Sequence, residues 1–363
     1  METVRVGLVG SGFVTAIHAE ALARVAGARV DAVASPTPGK AARFAAERGI
    51  PKHFQDYRAL YDLKEIDLVV LGLPNDLHAD AAVLAAQAGK HVVVEKPLAL
   101  NLAECDRMIA ACSDAGVMLG YAEELCFAPK YVRLKQLVDE GAFGRVHTVK
   151  QSEKHDGPHA AWFYDPERSG GGVTMDMGCH AIEFFRWLLG KDGAKARIKS
   201  VFASMRTVIH GDKTVSEDES LLLLSFDDGA IGLAEESWSK PGGMDDRAEV
   251  FGTEGQAYVD LMHGNALRTY ARRGLGYAVE KAGETRGWSY PVFEEIWNYG
   301  FVQEMEHFVA CLREGREPLE KGEDGRAVLE AIMALYASAR SRSVVDLPFE
   351  RAVARPIDLW RPF

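Results

Sequence analysis

A short apolar run near the N-terminus ends in a glycine-rich turn, and this feature restricts the possible folds more than any other. Residues 4–10 are typical of a strand, and the alanine-rich residues 14–26 are typical of a helix. Between a strand and a helix, one glycine permits a tight turn and a second lets the backbone approach a pyrophosphate at the helix N-terminus. A plain βα turn is the alternative. The pattern predicts dinucleotide contacts at Gly10, Ser11, Gly12, Phe13 and Val14.

The next hundred residues alternate between the two kinds of segment. Strand-like runs lie at 29–35, 67–73, 91–94 and 116–120, and helical segments lie at 39–48, 77–89 and 102–115. Strands separated by helices of this length form βαβ units and a parallel sheet. We therefore predict an α/β Rossmann domain over residues 1–122.

After residue 122 the pattern changes. Helical segments are predicted at 129–140, 178–189, 299–314 and 325–341. Strand-like runs follow one another at 146–153, 201–209, 220–226, 230–237, 248–251, 257–259 and 267–270. Successive strands without intervening helices form antiparallel sheets. Residues 123–363 are therefore predicted to form an α+β domain with an open, mainly antiparallel sheet.

Charge and composition exclude several classes of protein. The 363 residues include 42 basic and 53 acidic side chains, giving a formal net charge of −11 without any basic cluster. Because a nucleic-acid binder needs basic groups to neutralise phosphates, no nucleic-acid partner is expected. No apolar run reaches the length of a membrane span, so no membrane partner is expected.

The five cysteines are scattered, odd in number and without C-x-x-C spacing, which argues against a disulfide framework and a cysteine zinc site. A reducing compartment follows, and the N-terminus lacks the features of a signal peptide, so the cytoplasm is predicted. His155, Asp156 and His159 offer metal-ligand chemistry. Gly157 and Pro158 interrupt that group, however, and no metal is predicted.

The end of the second strand bears on the choice of cofactor. An acidic residue there would bind the ribose 2′-hydroxyl of NAD. This chain has Ser35 instead, followed by Thr37 and Lys40, and two hydroxyls with a cation suit a 2′-phosphate. The sequence therefore predicts NAD(P) and favours NADP over NAD. In the alternative, Ser35 only ends the strand and Lys40 is solvated.

Two further blocks resemble the glucose–fructose oxidoreductase, inositol dehydrogenase and MocA family. Residues 73–78 (LPNDLH) and 89–98 (GKHVVVEKPL) form the first block, in which Glu95-Lys96-Pro97 is the most specific motif. The second block is 170–180 (GGGVTMDMGCH), and the resemblance covers nearly the whole chain. It implies an NAD(P)-dependent dehydrogenase or reductase of sugars and cyclitols. It also implies a C-terminal domain that binds substrate and forms homodimers or homotetramers through its sheet.

The resemblance also implies the catalytic residues. Removing a hydride from an alcohol carbon requires a base for the hydroxyl proton and stabilisation of the oxygen. His180 is the expected acid/base, Lys96 is expected to polarise the oxygen, and Asp176 is expected to orient the imidazole or bind a hydroxyl. The alternatives are a surface lysine, a helix cap at Asp176 and a buried structural histidine.

Other residues are assigned by their place after a strand or in the polar loop at 154–172. Further cofactor contacts are expected from Pro74, Asn75, His78, Glu95 and Lys96. Substrate contacts are expected from Lys96, Tyr121, Glu123, His155, Trp162, Asp176 and His180.

The predicted function is hydride transfer between a nicotinamide and a secondary alcohol carbon of a sugar, cyclitol or glycoside. Two alternatives remain: an NAD-dependent glycosidase or lyase-like enzyme that oxidises its substrate transiently, and a non-catalytic regulator that senses the cofactor.

Overall fold

The computed structural model describes residues 3–262, 269–274, 277–283, 285–289, 291–292 and 294–361. It separates into two compact units. The first unit comprises Met1–Glu124 and Gly300–Leu329, and the second comprises Leu125–Tyr299 and Glu330–Phe363. Among the described residues, no helix combines the length and the apolar character needed to cross a bilayer.

The strands, in chain order, are β1 (Val4–Val9), β2 (Ala28–Ala34), β3 (Lys52–Phe54), β4 (Leu68–Leu71), β5 (His91–Glu95), β6 (Leu119–Ala122), β7 (Val146–Lys154), β8 (Ile198–Arg206), β9 (Glu219–Phe226), β10 (Ile231–Ser237), β11 (Asp245–Gly252), β12 (Gln256–Asp260), β13 (Thr269–Ala271), β14 (Gly287–Ser289) and β15 (Val345–Asp346). The helices are α1 (Phe13–Ala23), α2 (Lys40–Arg48), α3 (Tyr57–Tyr61), α4 (His78–Gln87), α5 (Leu102–Ala115), α6 (Pro129–Asp139), α7 (Pro166–Ser169), α8 (Val173–Asp176), α9 (Gly178–Leu189), α10 (Glu295–Tyr299), α11 (Phe301–Glu314) and α12 (Gly322–Ser341).

The sheet of the first unit is parallel and has the strand order β3-β2-β1-β4-β5-β6. The direction of the strand order reverses between β1 and β4. Ligands of such sheets bind in the crevice at the carboxyl ends of the strands where the order reverses. The predicted α/β class is confirmed, and the crevice lies beside Gly10 and Pro74, which follow these two strands.

Residues 300–329 return to the first unit, whereas the sequence placed all of 123–363 in the second domain. The ring of Phe301 lies 5.9 Å from that of His18 on α1. Phe308, which is fully buried, lies where a side chain at Gly120 of β6 would be. The apolar face of α11 therefore packs on α1 and on the N-terminal sheet at β6. No local sequence pattern predicts this long-range contact.

The sheet of the second unit has the order β12-β11-β7-β10-β9-β8-β15. The β7–β10 pair is parallel and the other pairs are antiparallel. The prediction of a mainly antiparallel sheet is confirmed. Of the strand predicted at 267–270, residues 267 and 268 lie outside the described residues, and β13 pairs with β14.

A row of buried acids crosses three strands of this sheet. Glu236 pairs in register with Glu153, which in turn pairs with Asp246, and none of the three is more than 4% exposed. The Tyr131 hydroxyl donates to Asp246 Oδ1 at 2.6 Å. Burial raises the pKa of Asp246 to about 7, and burial and then the charge of Asp246 raise the pKa of Glu236.

Replacing Asp246 with asparagine is expected to flatten the dependence of stability on pH. A carboxyl whose pKa is higher in the folded than in the unfolded protein stabilises the fold most at low pH. Its contribution is complete below about pH 4 and is lost as the pH rises through the folded value of about 7. Asp246→Asn keeps an acceptor for Tyr131 but removes this titration. Urea unfolding over a pH series measures the slope, and Asp212→Asn on the exposed surface should leave it unchanged. An unchanged slope in Asp246→Asn would contradict the assignment.

Candidate active site

The turn after β1 has the geometry that the glycine pattern predicts. Gly10 has φ 117°, and a Cβ there would lie 2.2 Å from the carbonyl oxygen of Gly72. Only glycine fits such a position. The Ser11 hydroxyl donates to the Ser35 hydroxyl at 2.8 Å, which ties the turn to the end of β2.

The N-terminus of α1 is suited to an anion. The helix begins at Phe13 with Gly12 as its N-cap, and no side chain of the described residues caps it. A Cβ added at Gly12 would meet no atom of the described residues within 4 Å. The first N–H groups of a helix lack internal partners and carry partial positive charge, so they bind phosphate groups. The residues present therefore fit the pyrophosphate of a dinucleotide.

Thr15 stands where the dinucleotide fingerprint has a small residue, and the structure explains how it is accommodated. Its side chain is buried, and its hydroxyl donates to the carbonyl of Gly72 at 3.3 Å. A Cβ at Gly72 would lie 2.4 Å from that hydroxyl. Close packing of α1 against the sheet is thus provided by a glycine after β4.

The predicted ribose contacts lie at the end of β2. Ser35 is 5% exposed, whereas Thr37 and Lys40, the first residue of α2, are exposed. A buried hydroxyl with a nearby threonine and lysine is compatible with either a ribose hydroxyl or a phosphate.

The segment after β4 holds the predicted residues 74–78. Asn75 is buried in a single 3-10 turn that follows Pro74. His78 is fully buried, with Nδ1 3.0 Å from the carbonyl oxygen of Pro97 and Nε2 2.9 Å from that of Leu73. Burial lowers the pKa of His78, against the opposing effect of its hydrogen bonds to these two carbonyls. These contacts join the segments after β4 and β5, and the cofactor role of His78 stays a prediction.

Glu95 ends β5 and fixes the residue that follows. Its Oε1 lies 2.6 Å from His18 Nε2, and its Oε2 accepts the Lys96 N–H at 3.1 Å. Burial would raise the pKa of Glu95, but the His18 hydrogen bond and the charges of His18 and Lys96 outweigh burial and lower it. The Lys96–Pro97 peptide bond is cis. Lys96 therefore lies at the carboxyl end of the parallel sheet, where the sequence placed it.

In the second unit, three glycines lead into the predicted acid and base. Gly172 donates its N–H to the Tyr336 hydroxyl at 3.1 Å, and that hydroxyl donates to Glu217 Oε1 at 2.7 Å. The same carboxylate oxygen accepts the Thr174 N–H at 2.9 Å. Because Tyr336 and Glu217 are fully buried, this network fixes the entry into α8.

Asp176 is the last residue of α8, and His180 lies in the first turn of α9; they are 8% and 3% exposed. Asp176 Oδ2 accepts the indole N–H of Trp238 at 3.0 Å. Met177, not Asp176, is the N-cap of α9, and within the described part of the chain no side-chain hydrogen bond caps that helix. The helix-cap alternative for Asp176 is therefore wrong.

His155 lies close to Asp176 in the second unit. Its Nε2 lies 4.0 Å from Asp176 Oδ2, and its Nδ1 lies 3.1 Å from Lys281 Nζ. Sequence reasoning named His155 and Asp176 but missed Trp238 and Lys281. Trp238 directly follows β10, and this position at the end of a strand could have suggested it as a site residue. Nothing in the sequence around Lys281 suggests that Lys281 belongs to the site.

The remaining predicted substrate residues differ in exposure. Trp162 is half-buried and stacks on Phe163 with ring centroids 3.8 Å apart. In the first unit, Tyr121 and Glu123 are both fully buried. Their substrate roles stay predictions.

Known proteins match the chain over almost its full length. Residues 4–123 match the model of an oxidoreductase family with an NAD-binding Rossmann fold, and residues 131–258 match the GFO/IDH/MocA C-terminal domain. A scyllo-inositol 2-dehydrogenase (NAD(+)) of Bacillus subtilis is 30% identical, covering 96% of this chain and 98% of the relative. A myo-inositol 2-dehydrogenase of Thermotoga maritima is 27% identical, covering 93% and 96%.

Solved structures give the same result. GenD2 from gentamicin A biosynthesis, in complex with NAD, superposes with a TM-score of 0.89 at 32% identity, covering 96% of this chain and 97% of that one. A probable dehydrogenase from Thermotoga maritima superposes with a TM-score of 0.83 at 26% identity, covering 96% and 100%.

These matches confirm the predicted family, fold class and enzyme class. The relatives support NAD binding and give no support for a preference for NADP. The chain belongs to the GFO/IDH/MocA family of oxidoreductases.

Proposed function

We propose that the protein is a nicotinamide-dependent dehydrogenase that acts on a secondary hydroxyl of a sugar, cyclitol or glycoside. The observation that carries this proposal is the carboxyl edge of the parallel sheet. The uncapped N-terminus of α1 and the open space at Gly12 suit a dinucleotide there, and Lys96 lies at the same edge. Relatives named as dehydrogenases of scyllo-inositol, myo-inositol and levoglucosan support the substrate class. They do not favour the glycosidase-like or regulatory alternatives.

In this proposal three residues each have a different role in the reaction. In the oxidation direction the carbon gives a hydride to the nicotinamide, the hydroxyl gives up a proton, and a carbonyl remains. His180 takes the proton, and the ammonium of Lys96 stabilises the negative charge on the oxygen. Asp176, held by the indole of Trp238, orients the substrate through a hydroxyl.

For the cofactor we propose NAD, with NADP also accepted. Ser35 is the buried hydroxyl at the end of β2, and it suits the ribose 2′-hydroxyl. Thr37 and Lys40 are exposed near it, so a 2′-phosphate would also meet a hydroxyl and a cation. The preference for NADP that the sequence favoured rests on Ser35, Thr37 and Lys40 and on the lack of an acidic residue at the end of β2.

Turnover with a panel of sugars and polyols tests the proposal. Each substrate is offered with NAD and with NADP, and reduced nicotinamide is followed by its near-ultraviolet absorbance. We expect net reduction of the cofactor with at least one cyclitol or pyranose, and a higher kcat/KM with NAD. Product formation from a glycoside without net reduction would instead establish the transient-oxidation mechanism.

Alanine at Gly12 is expected to weaken cofactor binding without loss of stability, whereas alanine at Gly10 should lower stability. The Cβ at position 12 would meet none of the residues that the structure describes but would enter the space assigned to the pyrophosphate, while the Cβ at position 10 would collide with the backbone at Gly72. We expect Gly12→Ala to raise the Kd for NAD about tenfold or more, as the loss of 1.4 kcal/mol does. Thermal melting and NAD titration separate the two effects. An unchanged Kd in Gly12→Ala would place the cofactor elsewhere.

We further propose that the protein forms homodimers or homotetramers through the outer face of the second unit's sheet. Leu223 and Leu233 are cross-strand neighbours on that face and are 37% and 38% exposed. Leu221 and Ile231 extend the apolar surface, which a second copy of the chain would cover. Leu233→Lys is expected to yield monomers by sedimentation, whereas Val344→Lys should not. A wild-type monomer would contradict the proposal.

We retain the cytoplasm as the proposed compartment. All five cysteines are buried free thiols, which suits a reducing environment.

A further inference from the structure

A segment of the second unit, residues 277–283, is fixed in place by contacts at both ends of a short turn. The Tyr277 hydroxyl donates to Glu295 Oε2 at 2.6 Å, and the Glu280 N–H donates to Glu295 Oε1 at 3.1 Å. The carbonyl of Glu280 accepts the Met244 N–H at 3.2 Å. The segment therefore presents its side chains in defined positions.

Lys281 of this segment adopts an unusual backbone conformation. Its φ is 53°, in the left-handed region that side chains other than those of asparagine and aspartate rarely adopt. The side chain donates to the carbonyl of Gly157 and approaches His155 Nδ1 at 3.1 Å. Non-glycine residues in this region concentrate at functional sites.

The contact with Lys281 determines which nitrogen of His155 carries the proton. An ammonium donates and does not accept, so Nδ1 must be the acceptor and the proton of the neutral ring lies on Nε2. This Nε2 lies 4.0 Å from Asp176 Oδ2, the oxygen that also accepts the Trp238 indole N–H. His155 therefore presents a donor to the carboxylate of Asp176 without bonding to it.

The spacing between this donor and this acceptor suits one hydroxyl group. An oxygen about 2.8 Å from each atom would accept from His155 and donate to Asp176, with the two bonds near a right angle. A direct ion pair between a protonated His155 and Asp176 would close that space.

Of the residues that the structure describes, four with charged or titratable groups face His155: Lys281, Asp176, Glu280 and His159. Glu280 is engaged by His159, whose Nε2 lies 2.6 Å from its carboxylate. Burial and then the charge of Lys281 lower the pKa of His155 to about 3, against the opposing effect of the two carboxylates. Because its pKa is this low, His155, which is 4% exposed, is neutral at ordinary pH.

We propose that Lys281 is a positioning residue that fixes the proton of His155 on Nε2 and, together with burial, opposes a second proton, so that His155 and Asp176 bind one substrate hydroxyl instead of closing into an ion pair. The substrate part of this inference rests on the proposed function. The state of His155 does not, because it is a property of the resting protein.

Lys281→Met tests the proposal in two ways. Nitrogen NMR of the imidazoles, with His155 assigned by difference against His155→Gln, should show a neutral Nε2–H ring in the wild type between about pH 5 and pH 8. In Lys281→Met the ring should gain its second proton at a higher pH than in the wild type, because the charge of Lys281 no longer opposes protonation while burial still does. Kinetically, KM of the variant should rise about tenfold as the pH falls through the pKa that NMR gives for its His155, with kcat little changed, since one hydroxyl contact is lost. Wild-type KM should stay level.

Two further variants separate this effect from general damage. Lys281→Arg retains a cationic donor and should restore the level KM profile. Lys240→Met removes a nearby lysine that pairs with Asp245, and it should leave the His155 signals unchanged. Identical His155 signals in wild type and Lys281→Met, or a level KM profile in that variant, would overturn the proposal. Absence of turnover in the wild type would count against the proposed function alone.

Discussion

Replacing Lys96 with methionine is expected to lower kcat by about 10²–10³-fold, the usual loss when one group that stabilises a developing oxyanion is removed. Methionine keeps the length and most of the apolar stem of lysine but has no ammonium. Charge on the substrate oxygen is greater in the transition state than in the bound alcohol, so kcat should fall more than KM rises. Steady-state kinetics with the best substrate of the panel measures both constants.

The control for this variant is Lys52→Met in the same unit. Lys52 is on β3 and pairs with Glu65 on the surface, away from the carboxyl edge of the sheet. Its loss should leave kcat and the melting temperature within error of the wild type. Full turnover in Lys96→Met, at a melting temperature like that of the wild type, would remove Lys96 from the proposed chemistry.

The N-terminal sheet is predictable from sequence because its signals are local. The turn at Gly10 and the alternation of buried strands with helices are each visible within about 30 residues. The elements that were missed, β3 and α3, have three and five residues. They are too short to show a hydrophobic period. The fifth strand was predicted at 116–120 but lies at Leu119–Ala122, because Gly116 has φ 65° and caps α5.

The residues of the candidate site also fall into those that the sequence predicts and those that it does not. Lys96, Asp176 and His180 stand in sequence motifs, and the resemblance of those motifs to the family's was enough to select them. Trp238 and Lys281 act through contacts that span 62 and 126 residues. Such contacts arise from tertiary packing, for which a single sequence carries no period or spacing. The same is true of the return of residues 300–329 to the first unit.

Alanine at Gly172 is expected to be among the most destabilising single substitutions in the second unit. A Cβ there would lie 1.8 Å from the backbone carbonyl oxygen of Glu217, which accepts the Val173 N–H at 3.0 Å. That oxygen cannot turn aside as the end of a flexible side chain would. Relieving this clash requires movement of the backbone before β9 or of the glycine run. Either movement breaks the hydrogen bonds from Gly172 to Tyr336 and from Thr174 to Glu217.

Overpacking costs about 1–3 kcal/mol, and a clash with backbone belongs at the upper end, so we expect Gly172→Ala to lower the free energy of unfolding by about 3 kcal/mol. Since the glycine run leads directly to α8, kcat should also fall in whatever fraction remains folded. Urea unfolding followed by tryptophan fluorescence measures the first effect. Gly211→Ala is the matched control, because among the described residues its Cβ would meet only Thr207, at 3.8 Å, and a change within about 0.5 kcal/mol is expected there. A Gly172→Ala variant as stable as Gly211→Ala would contradict the close packing of the glycine run against Glu217. It would also show that this packing does not hold Asp176 and His180 in position.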